Sequence, residues 1–112
     1  MDEASIANAC DGATYVIHTA SPFFFSDEED KLVKPAVAGT MAVMKACSQH
    51  KVKRCVMTSS TAAVTCVKPE DKPKPGEKWN ETYFSNHWAQ TGMGNYCKSK
   101  SLAEKAAWDY VE

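Results

Sequence analysis

Two short apolar runs, Tyr15-Val16-Ile17-His18-Thr19-Ala20 and Cys55-Val56-Met57-Thr58-Ser59, flank a stretch with helical periodicity. That order constrains the fold more than any other feature of the chain. Each run is a few residues long and nearly continuous in apolar character, which predicts parallel strands buried on both faces. Parallel neighbours cannot be joined by a tight turn; they need a crossover long enough to return over the sheet, usually a helix. The expected unit is a βαβ with a right-handed crossover.

Local signals fill in the elements around it. Glu3–Cys10 reads as an amphipathic helix stopped by Asp11-Gly12. Ser26-Asp27-Glu28-Glu29 reads as a capping box, a serine followed three residues later by a glutamate. Pro35 is expected to open a following helix, because its missing N–H would be unpaired in a first turn anyway. Val37, Met41, Met44 and Cys47 recur at helical spacing and give that helix an apolar face. The methionines fill a core and do not form a metal box. Val67–Gly94 has little periodicity and predicts a long loop, functional or mobile. Asn95–Val111 predicts a last helix with Leu102, Ala106 and Ala107 on its apolar face. The fold class is α/β.

Composition narrows the partners. At 112 residues the chain is one domain or part of one. A net charge of −1 and scattered lysines give no basic stripe, so neither nucleic acid nor a membrane surface is an expected partner. The apolar run Ala20–Phe25 is too short to span a bilayer and contains a proline. The N-terminus has no signal-peptide pattern, so the expected compartment is the cytoplasm. Five cysteines without a CxxC pair predict free buried thiols, not a disulfide framework, and no metal site.

The chemistry lies in Tyr96-Cys97-Lys98-Ser99-Lys100, read together with Thr58-Ser59-Ser60. A tyrosine four residues before a lysine on a helix places phenol and ammonium on one face. The ammonium favours the phenolate, so the pair can give a proton to a reacting oxygen or take one. A serine hydroxyl from another segment can hold that oxygen. This is equipment for carbonyl/alcohol chemistry, and it calls for a hydride donor.

These residues carry a family resemblance. The chain resembles the middle of an extended short-chain dehydrogenase/reductase (the NAD-dependent epimerase/dehydratase superfamily), in the branch of dihydroflavonol and cinnamoyl-CoA reductases. The match runs through Cys10-Asp11-Gly12 with Val16–Pro22, Lys34–Thr40, Val52–Ser60 and Tyr96–Trp108, in the family's order. The resemblance implies a partial Rossmann-type, doubly wound parallel sheet and NAD(P)H-dependent reduction of an aldehyde or ketone to an alcohol. Tyr96 would be the general acid, Lys100 the cation beside it and a ligand of the nicotinamide ribose, and Ser60 the hydroxyl on the substrate oxygen. Ala20, Ser21, Thr58 and Ser59, with Tyr96 and Lys100, would line the cofactor. NADP is expected because the branch uses it, with NAD the alternative.

Departures from the family pattern qualify the expectation. The family opens on a strand, a glycine-rich phosphate turn and a helix, and no such turn occurs in this sequence. The elements that follow the tyrosine helix, including the substrate domain, have no counterpart either. Residues 1–112 are therefore expected to be a fragment, the central part of a single NAD(P)-binding domain, inactive alone. Val64-Thr65-Cys66 and Ala36 depart from the nucleotide-sugar epimerases, and Thr65 stands where flavonoid reductases generally place an asparagine. The alternatives are an epimerase, a 3-beta-hydroxysteroid dehydrogenase-like enzyme, and a truncated module without catalysis.

Overall fold

The structure, a computed structural model, describes residues 2–112. Helix α1 (Glu3–Cys10) leads to strand β1 (Tyr15–His18), the long helix α2 (Asp30–Gln49) and strand β2 (Arg54–Met57). A short helix α3 (Ala62–Thr65), a 3-10 turn at Pro69–Asp71 and the long helix α4 (Gly92–Val111) complete the order. β1 and β2 pair in parallel, with Tyr15 opposite Arg54 and His18 opposite Met57. The crossover between them is α2, so the expected βαβ unit is present.

Both strands end earlier than their apolar runs, at His18 and Met57. One further ladder bond, from Thr58 N–H to the His18 carbonyl at 2.9 Å, carries the pairing just past those ends. The strands are covered on one face only, which corrects the expectation of burial on both. Val16, His18, Cys55 and Met57 are half-covered, while Tyr15, Ile17 and Val56 on the opposite face are 68%, 73% and 52% exposed. Apolar continuity in a strand records the cover its sequence is suited to, and here only one face has it.

The covered side is held by α1 and α2. Asp2 caps α1, its carboxylate accepting from the N–H groups of Ala4 and Ser5. Cys10, Ala46 and Cys47 form a buried cluster with Ile6, Val16, Val43 and Cys55 against it. α2 ends in a Schellman arrangement: Val52 N–H reaches the Cys47 carbonyl at 2.9 Å and Lys51 N–H the Ser48 carbonyl at 3.2 Å. Lys51 occupies the left-handed position there, at φ 53°, where glycine is the usual residue.

Two expectations about α2 are corrected. The Ser26 hydroxyl accepts from Glu28 N–H two residues on, a local turn, and α2 starts at Asp30. Glu29 is therefore not the reciprocal member of a capping box. Pro35 does not open a second helix; it lies inside α2, a single element of 20 residues. Having no N–H, Pro35 leaves the Lys31 carbonyl without its usual helical donor. The fully buried positions of α2 are Leu32, Ala36, Thr40, Ala42, Ala46 and Cys47, while Val37, Met41 and Met44 are half-buried.

α4 begins at Gly92, three residues before the expected start, with the Thr91 hydroxyl accepting from Gly94 N–H at 3.1 Å. Its buried face is made of small residues, Gly94, Asn95, Cys97, Ser99, Ser101 and Ala103, not of Leu102, Ala106 and Ala107. The hydroxyls of Ser99 and Ser101 donate back to the carbonyls of Tyr96 and Cys97, so these serines are buried without a polar penalty. Small side chains let α2 and α3 pack closely on α4. The loop before α4 is anchored rather than loose. Ser85, fully buried, donates to the Ala62 carbonyl at 2.7 Å and accepts from Cys66 N–H at 2.8 Å.

Candidate active site

A parallel sheet gathers its strand ends at one edge, and the middle of α4 passes over that edge. There the structure forms a narrow crevice of about 10 Å³. β1 and its continuation supply His18, Ala20 and Ser21, and the end of β2 supplies Met57, Thr58 and Ser59. Thr40 comes from α2, and Lys100, Ala103 and Glu104 from α4. Five residues singled out for a cofactor role (Ala20, Ser21, Thr58, Ser59 and Lys100) thus share one crevice. Its volume is barely that of one water molecule, so it forms a floor on which a ligand could rest.

Tyr96 and Lys100 lie one helical turn apart, and the Lys100 ammonium sits 5.2 Å from the centroid of the Tyr96 ring. Burial pushes Lys100 below the ordinary lysine value, since the charged form is less well solvated there. His18 also lies below its ordinary value of 6.5, first from burial and then from the charge of Lys100. The charge of Lys100 therefore opposes protonation of His18 in the crevice they share. A neutral His18 beside a charged Lys100 is the favoured arrangement.

Ser60 stands at the exit of β2. Its hydroxyl accepts from Ala62 N–H at 3.1 Å, which orients it at the start of α3. Among the described residues no hydrogen bond joins Ser60 to Tyr96. Ser59 points elsewhere: its hydroxyl donates to the Glu104 carboxylate on α4.

Several residues that hold Tyr96 in place escaped the sequence reading. Asn95, next to it and buried, donates from its side-chain amide to the carbonyls of Ser26 and Asp27, at 3.0 and 3.1 Å. Lys98 pairs with Glu29 at 2.9 Å and lies 5.8 Å from the centre of the Trp88 ring. A side chain on Gly94 would meet the Ala89 carbonyl oxygen at 1.9 Å. Phe23 and Phe25 approach the Tyr96 ring edge-on, at centroid distances of 6.0 and 5.6 Å, and are 87% and 63% exposed. Among the loop aromatics, Trp79 instead stacks edge-on against Tyr83 within the loop, at 5.0 Å. The one available signal was the Phe23-Phe24-Phe25 run itself, directly after a strand end.

All five cysteines are free. Burial pushes the thiols of Cys47 and Cys97 up to about 12, so both are protonated and unreactive at neutral pH. No group of three or more His, Cys, Asp or Glu side chains among the described residues is arranged to hold a metal ion. No helix among them is long and apolar enough to cross a membrane.

Comparisons with known proteins fit this geometry. The pattern of the 3-beta hydroxysteroid dehydrogenase/isomerase family matches residues 1–109. An anthocyanidin reductase ((2S)-flavan-3-ol-forming) of Vitis vinifera is 40% identical over 116 residues, covering 99% of this chain and 34% of that protein. A dihydroflavonol 4-reductase of Arabidopsis thaliana is 38% identical over 114 residues, covering 99% and 30%. Among solved structures, yeast methylglyoxal/isovaleraldehyde reductase Gre2, complexed with NADPH, superposes with a TM-score of 0.77 at 34% identity. That superposition covers 97% of this chain and 34% of Gre2. The chain spans about a third of the length of the relatives it matches.

Proposed function

The chain belongs to the 3-beta hydroxysteroid dehydrogenase/isomerase family, and on that premise we propose that it is the catalytic centre of a carbonyl reductase. In this reading residues 1–112 are the central part of a single dinucleotide-binding domain. The reaction is NADPH-dependent reduction of an aldehyde or ketone to an alcohol. The observation that carries the reading is the Tyr96–Lys100 pair, 5.2 Å from ammonium to ring centre, set beside a crevice at the ends of two parallel strands. Open parallel sheets bind their ligands outside those strand ends. Reductases dominate the similar proteins, and one neighbour is bound to NADPH.

The residues present fit the nicotinamide half of such a cofactor. Ala20 and Ser21 are small and accessible, Thr58 and Ser59 line the opposite wall, and Lys100 brings a cation with donors for a ribose. When bound, the cofactor supplies the hydride. Tyr96 donates a proton to the substrate oxygen, and Lys100 stabilises the phenolate that remains. Ser60 already accepts from a backbone N–H and keeps its own O–H to donate to the same oxygen. Phe23 and Phe25 offer an apolar approach to Tyr96, suited to the carbon body of a small carbonyl compound.

The test uses a chimera in which these residues replace the matching third of the NADPH-bound reductase neighbour. Tyr96→Phe should lower kcat by roughly 10²–10⁴ while leaving NADPH binding intact. Undiminished turnover would remove Tyr96 from the role of acid. The 112-residue chain by itself, which has no glycine-rich turn for the phosphates, should bind NADPH more weakly than micromolar. Micromolar binding would refute its assignment as a partial domain.

A further inference from the structure

Glu104 lies one turn beyond Lys100 on α4 and lines the same crevice, yet its carboxylate has other hydrogen-bond partners. It accepts from the Ser59 hydroxyl, at the end of β2 and 45 residues away in sequence, and on its other oxygen from the Trp108 indole N–H at 3.4 Å. The Lys100 ammonium lies over the Tyr96 ring instead. Lysine and glutamate at this spacing on a helix are close enough to pair, although the order with lysine first is the weaker one. A carboxylate paired with Lys100 would draw the cation away from Tyr96 and cancel its charge. The Ser59 hydroxyl gives Glu104 a different partner.

We propose that Glu104 and Ser59 are positioning residues: their hydrogen bond latches the end of β2 onto α4 and keeps the Glu104 carboxylate off Lys100. The ammonium then stays with Tyr96. The same bond ties the segment that carries Ser60 to the helix that carries Tyr96 and Lys100. The role of the latch in catalysis rests on the function proposed above, but its electrostatic part can be read without turnover.

His18 is the reporter. Within the crevice it faces Lys100 and Glu104 from α4. Neither Thr40 of α2 nor Met57, Thr58 and Ser59 at the end of β2 bears a charge. Toward α1 and α2 its neighbours are Ile6, Pro35, Gly39 and Val43, also uncharged. With Lys100 unpaired, His18 titrates below 6.5.

The experiment follows the His18 imidazole by NMR through a pH titration of the 112-residue chain. Ser59→Ala should release the carboxylate to Lys100, and the His18 midpoint should rise toward 6.5. Adding Glu104→Gln to Ser59→Ala should return it. Glu104→Gln alone retains an acceptor oxygen for Ser59 and should leave the midpoint unchanged. In the reductase chimera, Ser59→Ala should lower kcat about tenfold by loosening the tie between the two segments. An unmoved His18 midpoint in Ser59→Ala overturns the latch, as does a midpoint that stays raised in the double variant. A fall in the midpoint with Glu104→Gln alone would mean the carboxylate already acts on Lys100, and would overturn it too. If Tyr96→Phe leaves chimera turnover intact, the proposed reaction fails, while the His18 titration still decides the latch.

Discussion

The first half of α4 and the open face of the sheet are opposites in construction. Around Tyr96 several neighbouring residues are committed to partners outside the helix: Gly94 abuts Ala89 of the preceding loop, Asn95 bonds to Ser26 and Asp27, and Lys98 meets Glu29 and Trp88. On the open face Tyr15, Ile17 and Val56 meet solvent. Directional contacts are thus concentrated where one side chain must be aimed, and the large apolar surface is left without cover. Specific polar contacts contribute little net stability each, but leaving one unmade is costly. They suit orientation better than bulk stability.

The most severe way to break this contrast is Gly94→Ala. Helix propensity alone favours alanine by about 1 kcal/mol. Steric contact opposes it, because the new methyl group would lie 1.9 Å from the Ala89 carbonyl oxygen and 2.7 Å from its carbon. These are backbone atoms, and they can yield only if the loop moves off α4. The contact should win, at a net cost of about 3 kcal/mol in urea denaturation. A stabilised variant would show that the loop does not press on the helix as described.

Legibility in the sequence divides along a related line. The βαβ order and the Tyr96–Lys100 pair depend on local patterns that the sequence displays, whereas the buried face of α4 is made of small residues that apolar periodicity passes over. Even there, Pro35 was misleading, because a proline near the start of a long helix resembles a helix start. The Asn95 bonds to Ser26 and Asp27 span 69 and 68 residues. The Ser59–Glu104 bond spans 45 and the Ser85 anchor on Ala62 spans 23. No local pattern encodes such pairs, since Ser and Asn at a helix start or in a loop are commonplace as local caps. The open face was misread for a different reason: an apolar strand states what it can bury, not what lies over it.

Asn95→Ala probes the next level of effect. The substitution removes two hydrogen bonds and leaves the Ser26 and Asp27 carbonyls to find water, at a cost of about 2 kcal/mol. Phe25 and Ser26 also abut the start of α4 at Gly92. The 23–26 segment should therefore loosen, taking Phe23 and Phe25 off Tyr96. Hydrogen exchange should rise at residues 24–28 more than at the far end of α4. Uniform loss of protection along α4 would instead mean that Asn95 stabilises the helix as a whole and does not aim its first turn.

The smallest effect belongs to the open face, and it is the sharper control. Ile17→Thr keeps the β-branched shape that strands favour and alters a side chain already 73% exposed. Little apolar area is lost, so the change in stability should stay within about 0.5 kcal/mol. Val16→Thr, one residue earlier and packed against the Cys10–Ala46–Cys47 cluster, places a hydroxyl among apolar groups and should cost about 1–2 kcal/mol. The two variants differ by one position along one strand, and so in which face they sample. Denaturation midpoints at unchanged m separate them directly. Equal losses would mean that Ile17 is covered in solution, and the open face would then be a contact surface with its own energetic weight.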